Sequence, residues 1–314
     1  MRLPPDLQVF ERGWLSANGV LFTDAPRNQG GAGPALVDTG YVSHSAQTVA
    51  LVEQALGPSK ALERVFNTHL HSDHCGGNAA LQARYPELIT AIPPGEAEAA
   101  QNWDVAQLSY QRTGQACPRF SFQELLTANS TVTLGGRPWE VHAAPGHDNA
   151  AVLLFQPDHG CLIAGDALWE NGFGVVFPEL DGDNAFDEVE STLNLIEQLA
   201  PRSVIPGHGA VFYDLPSALK RARQRLAKFW KNPSQHRHYA AKVLVKFKLL
   251  EWQQISEPAL LQWAAQTPYF QNLHQHLQPE QSQTDWLLSL VDDLIRSGAA
   301  KREVVEAEPW LIDA

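Results

Sequence analysis

Apolar and polar positions alternate loosely from Val9 to Phe22, which predicts a β-hairpin with its turn at Asn18-Gly19. Ala35 to Asp38 is a short predicted strand ending at Asp38-Thr39-Gly40. Val49, Val52 and Leu56 then share one face of a predicted helix that Gly57-Pro58 stops. Val65-Phe66 is a strand leading into His69-Leu70-His71-Ser72-Asp73-His74, and a helix follows Gly76-Gly77. Val141 leads into Pro145-Gly146-His147. Ala151–Phe155 and Cys161–Ala164 are apolar strands joined by a turn at 157–160, the second ending at Gly165-Asp166. Phe186, Val189, Leu193, Ile196 and Ala200 recur at helical spacing, and Val204-Ile205 is a strand ending at Pro206-Gly207-His208-Gly209. The alternation is α/β in character, with hairpins mixed in. Polar side chains fall repeatedly just past strand ends, where such folds place their chemistry.

After Asp214 the pattern becomes helical, with predicted helices over 219–230, 239–252 and 284–296, the last stopped by Gly298. Val304, Val305 and Trp310 read as a final strand pair. Two domains are therefore expected, 1–215 and 216–314. Charge supports the division: from Ser217 onward 13 basic residues face 10 acidic ones, a net of +3, leaving −15 on the rest of a chain whose total is −12. An acidic main domain argues against a nucleic-acid partner. The composition, 44% hydrophobic and 18% charged, is that of a globular chain.

No stretch has the roughly 18 apolar residues of a membrane helix, and Met1–Asp6, with Pro4-Pro5, does not resemble a secretory signal. Cys75, Cys117 and Cys161 form no C-x-x-C pair and read as free thiols of a reducing cytoplasm. The Gly-rich 27–34 stretch lacks the Lys-Ser/Thr of a phosphate loop.

The densest chemistry lies in residues 69–74. Two-residue spacing on an extended segment turns His69 and His71 to one side, and Asp73 and His74 face the same space from a loop entering a helix. Imidazole and carboxylate suit Zn²⁺, Fe²⁺ and Mn²⁺. His147, Asp166 and His208 complete a seven-residue constellation. The remaining histidines read as capping, strand-facing or solvated, and Cys75 reads as packing. Trp103 and Tyr110 read either as pocket lining or as aromatic packing, and 171–177, leaving Asp166, as a loop that shapes a pocket.

In order and spacing, Asp38-Thr39-Gly40, Thr68–His74 with Gly76-Gly77, Pro145-Gly146-His147, Gly165-Asp166 and Pro206-Gly207-His208-Gly209 resemble the metallo-β-lactamase-fold hydrolases over the first two thirds of the chain. The resemblance implies a four-layer αβ/βα sandwich holding two divalent ions, with zinc expected and iron or manganese as alternatives. It implies His69, His71 and His147 on one ion, Asp73, His74 and His208 on the other, and Asp166 bridging. Asp73 would also be catalytic, orienting a shared hydroxide that attacks a carbonyl carbon.

The bridging Asp resembles the glyoxalase II and lactonase-like members, whereas zinc β-lactamases usually carry Cys or Ser there. The glutathione thioesterases place a basic residue after a Gly-x-Gly, but Gly172-Phe173-Gly174 is followed by Val175. The expected activity is hydrolysis of a small-molecule carbonyl ester, thioester or lactone, with β-lactam hydrolysis as a side activity. The alternatives are an RNA or nucleotide phosphodiesterase and a mononuclear iron dioxygenase of the persulfide-oxidising kind. The C-terminal part loosely resembles the winged-helix tail of some β-lactamase-like proteins.

Overall fold

The computed structural model describes residues 3–25, 27–29 and 31–314, so part of the leader reading and Gly30 of the Gly-rich stretch lie outside the described residues. One sheet has six strands in chain order: Leu7–Phe10 (β1), Gly19–Phe22 (β2), Ala35–Val37 (β3), Arg64–Phe66 (β4), Ile89–Ile92 (β5) and Glu124–Leu125 (β6). β1 to β3 pair antiparallel, and β3 to β6 pair parallel. A second sheet of five comprises Thr131–Leu134 (β7), Arg137–Ala143 (β8), Val152–Gln156 (β9), Cys161–Gly165 (β10) and Ser203–Pro206 (β11), in the order β11-β10-β9-β8-β7. Only β10 and β11 are parallel in it.

The period-2 alternation of a strand divides its side chains between two cores. Val20, Phe22, Ala35, Val37 and Phe66 of the first sheet meet Trp139, Val141, Val152, Leu154, Cys161 and Ile163 of the second in one buried cluster. The intervening Leu21, Leu36 and Val65 turn outward and pack with Val52, Leu56 and Leu81 of helices Ser45–Leu56 and Asn78–Arg84. Helix Ala185–Leu199 buries Phe186, Val189, Leu193 and Ile196. The result is the four-layer α/β sandwich. Each wholly buried Leu or Val contributes about 2 kcal/mol relative to exposure.

The expected hairpin is present as β1-β2, but its turn is not at Asn18-Gly19. Gly19 pairs with Phe10 inside the ladder, and residues 11–18 form a longer connection. Asn18 is otherwise engaged. Its side-chain amide donates to the carbonyls of Pro206 and Gly209, and its carbonyl oxygen accepts from the Arg12 amide. The predicted helix end at Gly57 is observed, with φ 70°.

The chain divides into two compact units: residues up to Leu108 with Cys117–Ala227, and Ser109–Ala116 with Lys228–Ala314. The expected boundary after 215 stands at the start of helix Leu215–Lys231, and the division falls within that helix. The second unit contains helices Pro233–Trp252, Glu257–Gln266, Pro268–Leu277 and Gln283–Arg296. It also contains Gln254–Ser256 (β12), Ala300–Val305 (β13) and Glu308–Asp313 (β14), ordered β12-β14-β13. Its Leu244, Leu260, Phe270, Trp286, Leu290 and Leu311 are buried, and Ser256 and Ser282 cap their helices by accepting backbone N–H bonds. Among the described residues no helix is long and apolar enough to cross a membrane.

Candidate metal centre

Four strand ends converge. His69 and His71 follow β4, His147 follows β8, Asp166 follows β10 and His208 follows β11. Asp73 and His74 sit on the single helical turn Ser72–Cys75. All seven residues are brought together, in two groups whose ligand atoms lie within 4.8 Å of one another: His69, His71 and His147 in one, and Asp73, His74, Asp166 and His208 in the other.

Glycines permit this convergence. A Cβ on Gly76 would come within 2.5 Å of Ser72 O and Val42 N, and one on Gly77 within 2.5 Å of Thr39 O. That proximity lets the Thr39 amide reach the His74 carbonyl at 2.7 Å. Gly174 leaves room for the His147 ring, because a Cβ there would stand 2.4 Å from its Nδ1.

The imidazoles are oriented by bonds on their far sides. His74 Nδ1 donates to Asp38 Oδ2 at 2.8 Å, which turns Nε2 toward the centre, 3.4 Å from Asp166 Oδ1. Asp38 also accepts from the Thr68 amide at 2.9 Å and from Thr68 Oγ1 at 2.8 Å. Thr68 Oγ1 lies 3.1 Å from His69 Nδ1. His147 Nδ1 donates to the Val175 carbonyl, and His147 Nε2 meets His71 Nδ1 at 2.8 Å. His71 Nε2 faces away, 3.7 Å from Asp148 Oδ2.

Asp166 spans the two groups. Its Oδ2 is 3.5 Å from His147 Nε2, while its Oδ1 faces His74 Nε2 and His208 Nε2, the latter at 3.8 Å. Trp169 Nε1 donates to that Oδ1 at 3.1 Å. Asp73 Oδ2 accepts from His208 Nε2 at 3.0 Å.

Burial, reinforced by neighbouring imidazoles, holds His69 well below the usual histidine range. Burial likewise lowers His71 and His147 to about 4. These three rings are neutral and have lone pairs to offer. At His74, burial opposes the charged form, but Asp38, Asp166 and Asp73 outweigh it and raise the pKa. At His208, Asp166 and Asp73 do the same. Burial would raise the Asp166 carboxyl, yet His208, His74 and His147 hold it well below its usual range.

The second group thus concentrates negative charge that draws protons onto its histidines, and a cation at its focus would take their place. His69 Nε2 and His74 Nε2 are buried without a hydrogen-bond partner. An unsatisfied buried nitrogen is costly, and a metal ion would satisfy both. On the chemistry of its donors, the site fits two divalent ions.

The residues set aside on sequence are engaged elsewhere. His44 Nδ1 meets Ser16 Oγ at 2.8 Å, His142 pairs with Glu140 and His159 with Gln156. The Cys75 thiol donates to the carbonyls of Leu70 and His71. Trp103 packs edge-on against Phe120. The 171–177 loop does shape the centre, since Phe177 lies 4.9 Å from the His71 ring and Val175 supplies the acceptor for His147. Sequence reasoning gave no role to Asp38, Trp14 or Trp169. Asp38 carried a signal, an acid at a strand end beside Gly40. The two tryptophans carried none, because only the fold brings residue 14 to residue 208.

A family model described as the Metallo-beta-lactamase superfamily matches residues 12–208. Curated relatives include a hydroxyacylglutathione hydrolase of Synechococcus sp. (strain JA-3-3Ab), 34% identical over 116 residues, which are 37% of this chain and 38% of that protein. A hydroxyacylglutathione hydrolase of Thermosynechococcus vestitus is 30% identical over 138 residues, 44% of this chain and 45% of that protein. The chain thus spans less than half the length of either relative. Among solved structures, a metallo-beta-lactamase family protein from Thermus thermophilus is similar with a TM-score of 0.58 at 19% identity, covering 100% of both chains. A beta-lactamase domain protein from Burkholderia ambifaria is similar with a TM-score of 0.60 at 19% identity, covering 99% of this chain and 93% of that one. At such identity these two structures speak for the fold alone. The family match, by contrast, covers most of the chain and includes all seven residues of the centre: the protein belongs to the metallo-beta-lactamase superfamily.

Proposed function

We propose that the protein is a binuclear metal-dependent hydrolase of a small-molecule carbonyl ester, thioester or lactone. His69, His71 and His147 would hold one ion, Asp73, His74 and His208 the other, and Asp166 would bridge them. The observation that carries this reading is the division of Asp166, with Oδ2 toward the first group and Oδ1 toward the second. Zinc is the expected metal on donor chemistry, with iron or manganese as alternatives. The hydroxyacylglutathione hydrolases among the relatives support the thioester class.

When bound, the ions would supply a water of lowered pKa and positive charge near a carbonyl oxygen. The chain does the remainder. Asp73, whose Oδ2 lies 3.0 Å from His208 Nε2, would orient the attacking water and carry its proton. Thr68, Asp38 and the Val175 carbonyl fix the ring orientations, so little reorganisation accompanies the reaction.

Recognition of glutathione itself is not favoured. Val175, after Gly172-Phe173-Gly174, is only 4% exposed and offers no cation to a peptide carboxylate. We also propose a cytoplasmic protein, supported by the three free cysteines. A winged-helix-like second domain is supported by the β13-β14 hairpin beside its helices.

The test is metal content per chain together with a panel of lactone, thioester, β-lactam and phosphodiester substrates. Two ions and turnover of carbonyl substrates are expected. A single iron with oxygen uptake, or cleavage of the phosphodiester alone, would overturn the proposal.

A further inference from the structure

Trp14 is an exposed large apolar side chain, 56% accessible, and its position is rigidly set. The loop carrying it is tied to the backbone of both motif loops. The Ala17 amide donates to the Asp73 carbonyl at 3.0 Å, and the Asn18 amide to the Gly207 carbonyl at 2.7 Å. The Asn18 side chain adds bonds to Pro206 and Gly209.

This anchoring lays the Trp14 indole against His208, with ring centres 5.5 Å apart and planes within 13°. Trp169 closes the corner, edge-on to Trp14 at 5.2 Å and to His208 at 5.5 Å, and is itself fixed by its bond to Asp166. Its turn is braced through Arg221, which donates to the Glu170 carbonyl, and Arg225, which donates to the Phe173 carbonyl. Arg12, on the opposite loop, donates to Thr48 and Gln47. The guanidinium groups of Arg12, Arg221 and Arg225 are thus occupied in holding these two loops, and the indoles of Trp14 and Trp169 stand against His208.

We propose that Trp14 and Trp169 form a substrate subsite on the Asp73–His208 side of the centre, which accepts a flat, uncharged apolar or aromatic group of the ester or thioester. This rests on the hydrolase reading above and deepens it. The Trp14 indole leaves more than half of its apolar surface in water, and a flat group bound against it would cover that surface. Stacking of this kind is worth about tenfold in affinity.

The test uses the metal-loaded protein with 2-naphthyl acetate and methyl acetate, and binding of 2-naphthol by calorimetry. For W14A the ratio of kcat/KM for naphthyl over methyl ester should fall about tenfold, mainly through KM, and the Kd for 2-naphthol should rise about tenfold. W14F should recover most of both. An unchanged naphthol Kd in W14A overturns the subsite, whether or not either ester is hydrolysed. Absence of hydrolysis of every carbonyl substrate, with naphthol binding still dependent on Trp14, removes the hydrolase reading and leaves the subsite standing as a binding site.

Discussion

Asp38 offers the sharpest test of how the centre is held. Its carboxylate accepts three bonds at 2.8–2.9 Å, from the Thr68 amide, Thr68 Oγ1 and His74 Nδ1. Its φ of 58° lies in the left-handed region, which Asn tolerates nearly as well as Asp. Replacement by Asn therefore changes the hydrogen bonding with little change in backbone strain. An amide has one acceptor oxygen where the carboxylate has two. If that oxygen keeps the Thr68 amide at the Oδ1 place, the new NH₂ takes the Oδ2 place and faces both Thr68 Oγ1 and His74 Nδ1. His74 must then accept at Nδ1 and carry its proton on Nε2, the nitrogen aimed at Asp166 Oδ1. The lone pair offered to the second ion is lost. If the ring keeps its tautomer, two donors face each other in a buried site, at a cost of about 1–3 kcal/mol. Either way, affinity for the second ion should fall roughly 10- to 100-fold in D38N, in line with the loss of an orienting partner behind a metal-binding histidine. The first ion, on His69, His71 and His147, should be affected far less. Competition with a chromophoric chelator resolves two binding steps, and circular dichroism checks that the fold is intact. Equal weakening of both steps, or of neither, would refute the argument that Asp38 acts through His74.

Further outcomes follow from the same geometry. D166A should lower metal content and turnover together, measured by elemental analysis and steady-state kinetics; full loading at the normal rate would remove its bridging role. G174A places a methyl group 2.4 Å from His147 Nδ1, so it should weaken the first binding step and cut kcat/KM at least about tenfold while secondary structure persists. In the second unit, burial with Arg237 nearby pushes His236 down to about 3 from 6.5. The neutral form is the one that folds, so stability is full above pH 6.5 and is lost as pH falls toward 3, by about 1.4 kcal/mol per unit. H236F should remove that slope; urea denaturation at about pH 6.5 and 5.0 should show wild type losing about 2 kcal/mol more than the variant, and parallel losses would contradict the assignment.

Much of the fold was legible because burial leaves a period in the sequence. Val20, Phe22, Val37 and Phe66 alternate with Leu21, Leu36 and Val65, and the two sets fill different cores. The weakly patterned elements were not read. β6 is two residues long, β7 keeps only Leu134 buried, and helices Glu257–Gln266 and Pro268–Leu277 are short. The hairpin turn was misplaced because Asn18-Gly19 has local turn chemistry that distant partners override. The Asn18 side-chain amide serves Pro206 and Gly209, nearly two hundred residues away.

By itself, then, the sequence determined the candidate donor types, their order and the strand ends that most of them follow, because imidazole and carboxylate side chains recur there at fixed places along the chain. It also determined the alternation that makes two sheets pack face to face. The division of the seven residues into two groups was implied only by the family resemblance; the tertiary structure decided its geometry, with the two Asp166 oxygens facing opposite ways. It also decided what stands behind each ring and what overlooks the centre: Asp38 behind His74, the Val175 carbonyl behind His147, and the Trp14 indole over His208. Such contacts join residues far apart in the chain, and their distances depend on how strands and helices pack, which no local pattern of side chains encodes.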